Sequence, residues 1–258
     1  MQRSFSDRLI VSDLDGTFLG EGEAIVARNL EAIRAFQEKG GRFTFATGRT
    51  HRKLCELVPG LHRLVNAPLI LLNGTVFYDT VADCVLKEFR LPILPILPIL
   101  QTLLQPHPEL SVRFLKGDAL YEYRADALGE ARALNDCNKI VIVGEAAVLD
   151  ALQVSLRALC VGWLHTCKSV SFLLELLPSG AGKGVLLDEM RAYLSQDKPI
   201  RVYAIGDYEN DLELLAHADV AACPQNAIAA VKAVSERILC AHTEGAIADL
   251  IRTIDEES

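Results

Sequence analysis

RLIVSDLDGT, residues 8–17, runs branched apolar residues straight into two aspartates one residue apart, Asp13 and Asp15, followed at once by Gly16 and Thr17. Two carboxylates that close repel each other and lose solvation if buried, so an ordinary core strand does not carry both. The pair makes sense where something binds the charge. The apolar run is too short for a helix and reads as a buried parallel strand. Outward from it, residues 23–39 show helical spacing in Ile25, Leu30, Ile33 and Phe36 and stop at Gly40 and Gly41. RFTFATG (42–48) reads as a second strand, residues 50–58 as a short helix, and PLILLNG (68–74) as a third strand. This βαβαβ rhythm predicts a parallel sheet with right-handed crossovers.

Past Phe77 the rhythm changes. VFYDT, CVLKEFRL, SVRFLKGD, ALYEYR, KIVIVGE, GWLHTC and VSFLLELLP are strand-like runs with few helices between them, and residues 81–178 read as a separate α+β module. The βα rhythm returns with GVLLDEMRAYL, RVYAIGD and DVAACP and ends in a helix reaching Ile254. The expected fold is therefore α/β: a doubly wound, Rossmann-like parallel-sheet core, split into 1–80 and 179–258, with an inserted α+β cap domain. In LPILPILPIL (91–100), each proline lacks an amide hydrogen and clashes with the preceding turn, so a helix is expected to begin only near Pro98 and to reach Gln105, after an extended entry.

The chain has 258 residues, 50% of them apolar, with mean hydropathy +0.23, enough for a substantial core. A net charge of -8 without a Lys/Arg cluster argues against nucleic acid and anionic membranes and in favour of a small-molecule partner, bound by a monomer or homodimer. Seven scattered cysteines, never spaced CxxC, fit neither a zinc site nor a disulfide framework and suggest a reducing, cytoplasmic setting. MQRSFSDRLIVSD shows no apolar signal core, and no run reaches the roughly 18 apolar residues of a spanning helix, so a soluble, unexported protein is expected.

Ligands of an open parallel sheet bind beyond the carboxyl ends of its strands. Those ends carry Asp13 and Asp15, then Thr47, Gly48 and Arg49, then Asn73 and Gly74, then Asp207, Asn210 and Asp211, with Lys183 in SGAGKG just before a helix start. In extended chain Asp13 and Asp15 share a side and Leu14 points away, so one carboxylate can attack while the other handles protons. If the electrophile is a phosphoryl group, its negative charge must be offset, which a hard cation held by oxygens does. Mg2+ fits best, with Asp207 as a further carboxylate. The Thr47 hydroxyl, the Gly48 amide and the Lys183 ammonium then suit the phosphoryl oxygens.

This constellation resembles the haloacid dehalogenase-like hydrolases, and among them the Cof-type phosphatases with a large α/β cap. DLDGT matches the first motif, TGR the second, the lysine of SGAGKG the third and GDYEND the fourth. The resemblance implies Asp13 as the nucleophile forming an aspartyl-phosphate and Asp15 as the acid/base. It implies Mg2+ held by Asp13, the Asp15 carbonyl, Asp207 and Asp211, with Asn210 beside the phosphate group. Asn73 and Gly74 match the turn that precedes the cap, and with Arg49 they are candidates for substrate or hinge contacts. Asp15 disfavours a dehalogenase, because an alkoxide leaving group needs a proton and a halide does not. The leading expectation is a Mg2+-dependent phosphatase of small phosphorylated metabolites, sugar phosphates first. A phosphosugar mutase and a metal- and phosphate-binding regulatory protein remain alternatives. Cap candidates for substrate choice are Arg113, Lys116, Tyr121, Tyr123, Arg124, His165 and Lys168.

Overall fold

A computed structural model describes residues 4–195 and 199–257. The chain divides into two compact units, Met1–Leu86 with Gly182–Ser258, and Lys87–Ala181. The first begins with β1 (Arg8–Ser12), α1 (Ala27–Glu38), β2 (Arg42–Phe45), α2 (His51–Leu57), α3 (Leu61–Leu64), β3 (Leu69–Leu71) and β4 (Val76–Asp79), and β5 (Cys84–Glu88) leads out of it. The inserted unit carries β6 (Leu91–Pro92), α4 (Ile93–Leu104), β7 (Ser111–Lys116), β8 (Ala119–Arg124), β9 (Asp136–Cys137), β10 (Lys139–Val143), α5 (Ala146–Leu159), β11 (Leu164–Val170) and β12 (Leu173–Pro178). The first unit resumes with α6 (Lys183–Leu194), β13 (Arg201–Ile205), α7 (Leu212–Ala216), β14 (Val220–Pro224), α8 (Ala229–Val234), β15 (Arg237–Leu239) and α9 (Ala246–Glu256).

The sheet of the first unit runs in the order β15-β14-β13-β1-β2, with every pairing parallel. A parallel bridge between Ala46 and Ile70 continues it to β3, on which β4 folds back antiparallel. β1 lies between β2 and β13 and is buried from Leu9 to Ser12, as a strand covered on both faces must be. Beside it Phe18, Phe43 and Phe45 form an edge-to-face cluster, with Phe18–Phe45 centroids 4.9 Å apart and Phe43–Phe45 centroids 5.1 Å apart. Parallel pairing brings the ends of β1, β2, β13 and β14 to one edge of the sheet.

Helix α1 begins at Ala27 rather than at residue 23. Leu19 bridges antiparallel to Ile25 and the Gly20 amide donates to Ala24 O at 2.7 Å, so the preceding residues close a turn in which Gly22 and Glu23 take left-handed backbone. The expected stop is present: Gly40, at φ +92°, donates to Gln37 O and Gly41 to Phe36 O. Helix α2 is capped by the Thr50 hydroxyl, which accepts the Lys53 amide at 3.2 Å.

In the inserted unit an antiparallel sheet, β11-β12-β10-β7-β8, packs Val112, Phe114, Ile140, Ile142, Leu174 and Leu176 against apolar side chains of α4 and α5. The expectation for the proline repeat is corrected here: α4 starts at Ile93, well before Pro98. Pro92 is its N-cap and Pro95 sits in the first turn, where an amide has no intrahelical partner, so Pro98 alone is interior. An interior proline costs about 3 kcal/mol. Burial of Ile93, Ile96, Leu97, Leu100 and Leu104 offsets it, at roughly 1.5–3 kcal/mol for each fully buried side chain. The prolines occupy the exposed stripe. Helix α5, absent from the strand-dominated reading, buries Leu149, Leu152 and Leu156.

Candidate active site

β1 ends at Ser12, and the expected extended run through Asp15 does not form. The Phe18 and Leu19 amides both donate to Leu14 O, so the chain turns directly after Asp13. Leu14 does point into the core, whereas the two aspartates part company. Asp13 is buried, and its Oδ1 accepts the Lys183 ammonium at 2.6 Å. The Asp15 carboxylate, 41% exposed, takes a bidentate pair from Arg49, Nη2 to Oδ1 at 2.7 Å and Nε to Oδ2 at 2.9 Å. Arg49 reaches Glu23 as well, at 3.2 Å. At the turn Gly16 has φ +74°, and a Cβ there would lie 2.5 Å from Asp207 Oδ2, so glycine is required.

After β13, the Asp207 and Tyr208 amides donate to Asp211 Oδ2 at 2.9 and 3.3 Å. Asp211 Oδ1 accepts Lys183 at 2.6 Å. One buried carboxylate thus shapes its own loop with one oxygen and holds the lysine with the other. Thr17 donates to Asp207 Oδ1 at 2.9 Å, a contact the sequence reading did not assign. Its only signal is a hydroxyl just after the glycine of DLDGT.

Thr47 is fully buried at the end of β2, and its Oγ1 accepts the Arg49 amide at 3.1 Å. The next loop is tied to it: Asn73 N donates to Thr47 O and Leu72 N to Arg49 O. Asn73, in left-handed backbone, also accepts Asn210 Nδ2 at 3.2 Å on an oxygen that stands against Gly48. Asn73 therefore joins the second and fourth motifs rather than serving only as a turn. Gly74, at φ +88°, leaves no space for a side chain against Gly182 and the Lys183 amide.

Of the cap candidates, Arg113 pairs with Glu122, Lys116 with Asp136, Arg124 with Asp126 and Lys168 with Asp150. Tyr123 packs edge-on against Phe114, Tyr121 is exposed, and His165 is half-buried. The Lys168 side chain is itself buried, so these residues do not form one polar set.

Asp13, Asp207 and Asp211 each offer a carboxylate oxygen, with those atoms within 4.8 Å of one another. The Asp15 carboxylate is not among them. Three carboxylates against one ammonium leave a charge of minus two when ionised, and an all-oxygen donor set of that charge suits a hard divalent cation. Burial, reinforced by the Asp211 charge, lifts the Asp13 carboxyl well above the ordinary carboxylate range although Lys183 opposes the shift. Burial and Asp211 likewise push Asp207 up to about 7. Burial works against the Lys183 charge, yet Asp13 and Asp211 hold that ammonium above its usual value.

The fold belongs to a known class. Residues 10–136 and 123–251 match the profile of the haloacid dehalogenase-like hydrolases, and the chain belongs to that family. A relative named HMP-PP phosphatase, from Serratia proteamaculans, is 27% identical over 227 residues, spanning 81% of this chain and 80% of the relative. The structure of a haloacid dehalogenase-like hydrolase from B. subtilis superposes with TM-score 0.80 at 20% identity, covering 95% of this chain and 99% of the other. A subclass IIB sugar phosphatase superposes with TM-score 0.79 at 17% identity, covering 96% and 99%. Within the family the chain is a phosphatase. Among the described residues no helix is long and apolar enough to cross a membrane.

Proposed function

We propose that this phosphatase hydrolyses small phosphorylated metabolites, sugar phosphates first, with Mg2+ and through an aspartyl-phosphate on Asp13. The observation that carries this reading is the buried Asp13–Lys183–Asp211 arrangement with Asp207 beside it. The sugar phosphatase neighbour and the phosphatase relative support the choice of substrate class.

A carboxylate oxygen of Asp13 attacks phosphorus, and the bond from phosphorus to the leaving oxygen breaks. Asp15 gives that oxygen a proton. Water then loses a proton to Asp15 and attacks the phosphorus of the acyl phosphate, which releases phosphate and restores Asp13. The Arg49 pair occupies both oxygens of Asp15, so proton transfer to or from the reacting oxygens requires that pair to open. Lys183, the Thr47 hydroxyl and the Gly48 amide bind the phosphoryl oxygens, and Asn73 with Asn210 fixes the loops that present them. The carboxylates of Asp13, Asp207 and Asp211, with the Asp15 carbonyl, would hold Mg2+. When bound it offsets the charge of the phosphoryl group.

Phosphate release is to be measured on sugar, nucleotide and cofactor phosphates and on HMP-PP, with Mg2+ and with EDTA, for wild type and Asp13→Asn. Metal-dependent release that is lost in a folded Asp13→Asn protein is expected. Release that survives in that variant refutes the nucleophile, and isomerisation without net release makes the protein a mutase.

A further inference from the structure

Helix α6 begins without a capping side chain of its own. Its N-cap is Gly182, in extended backbone at φ 169°, and the first intrahelical bond runs from Leu186 N to Gly182 O at 3.1 Å. The amides of the first turn therefore need outside acceptors. The Glu213 carboxylate, projecting from α7, accepts the amides of Gly184 and Val185. A side chain two residues past Asp211 thus caps a different helix.

The glycines of SGAGKG record how close this approach is. A Cβ on Gly182 would collide with the Glu213 carboxylate. One on Gly184 would lie 2.6 Å from Glu213 O and 2.7 Å from His217 Cδ2. Between these two glycines stands Lys183, whose ammonium crosses the opposite way to Asp211 Oδ1 at 2.6 Å, just before α7. The two helix starts are therefore clasped reciprocally, by a lysine going one way and a carboxylate returning.

We infer that Glu213 is a positioning residue for this reaction: by capping α6 from α7 it fixes where Lys183 presents its ammonium between Asp13 and Asp211. Glu213 touches neither substrate nor reacting atoms and acts through Lys183. The inference rests on the reading of Lys183 as the phosphate-binding cation. A negative group at a helix start also suits the helix dipole, which favours Glu over Gln there. Misplacement of a reacting group by an ångström is enough to lower a rate about a hundredfold.

The test is steady-state hydrolysis of p-nitrophenyl phosphate by wild type, Lys183→Met, Glu213→Ala and Glu213→Gln, at a temperature where thermal melts show every variant folded. Glu213→Ala is expected to lose about tenfold to a hundredfold in kcat/KM. Glu213→Gln, which keeps an acceptor for the amides, should stay within about fivefold of wild type. A merely structural Glu213 would lower the melting temperature and leave kcat/KM of the folded enzyme unchanged. A folded Glu213→Ala within threefold of wild type, or a Glu213→Gln as impaired as the alanine variant, overturns the inference. Should the alanine variant fail to fold, Glu213→Asp takes its place, being one methylene too short to reach both amides, and the same limits apply. Retained activity in Lys183→Met would instead sink the role of the lysine, so the two failures are told apart.

Discussion

Replacing Lys183 with methionine keeps most of the buried stem and deletes the ammonium that two carboxylates share. Asp13 and Asp211 would then stand buried without their cation. Removing one partner of a buried ion pair destabilises by about 3–5 kcal/mol. For a domain of this size that lowers the thermal midpoint by roughly 6–20 °C. The pH dependence follows from the direction of the shift. Asp13 already sits above the ordinary carboxylate range because of burial and Asp211, and loss of Lys183 removes the main opposing charge. A carboxyl group whose folded pKa exceeds its unfolded value of about 3.9 binds more protons when folded, so its penalty is absent below that value and grows as pH rises to the folded pKa. At pH 5 each such group costs at most about 1.5 kcal/mol, since only about one pH unit separates it from the unfolded value. Thermal melts in EDTA at pH 5 and pH 8 should show a smaller loss in acid than in base. A loss equal at both pH values, or under about 2 °C at pH 8, would refute the account of Lys183 as the charge that makes this cluster tolerable.

Metal-free wild type should itself lose stability as pH rises from about 4 to 7, because burial and Asp211 push Asp207 up to about 7. Mg2+ should accordingly raise the thermal midpoint more at pH 8 than at pH 5; an equal shift at both counts against these carboxylates as its ligands. Gly74→Ala meets both left-handed backbone, at φ +88°, and the Gly182 carbonyl, so a loss of more than about 2 kcal/mol is expected in urea unfolding. Pro98→Ala should stabilise by about 1–2 kcal/mol and leave turnover unchanged, since Pro98 is exposed and its replacement returns an amide to the Leu94 carbonyl. A destabilised Pro98→Ala protein would mean that the ring packs usefully.

The parallel core and the positions of its acidic loops were legible because both depend on local pattern. An apolar strand running into aspartates announces its own end, and Gly40–Gly41 closes α1 where a left-handed cap is needed. What escaped was set by distant partners or by competing local effects. Nothing near Asp13 reveals that a lysine 170 positions later neutralises it, or that Arg49 faces Asp15. Asn73 looked like a turn residue because its tie to Asn210 spans 137 positions. In α4 the proline rule was sound for one position and misplaced for the other two, since Pro92 and Pro95 fall where helices need no amide. Helix α5 carries a readable signal in Leu149, Leu152 and Leu156, but it is a single amphipathic stretch set between the strands β10 and β11.

The position of β1 between β2 and β13 also has a consequence for synthesis. As the chain leaves the ribosome, β2 arrives promptly, whereas the other neighbour, paired from Arg8↔Arg201 to Ser12↔Ile205, follows only after the whole insertion. The inserted unit, Lys87–Ala181, is one continuous stretch and can condense on its own while one edge of β1 still waits. Asp13 meanwhile has no lysine to shelter beside, so burying it is opposed until residue 183 has emerged. The order of translation thus delays closure of the sheet until its buried charges can be compensated, leaving an open strand edge that a nascent chain must protect from stray pairing.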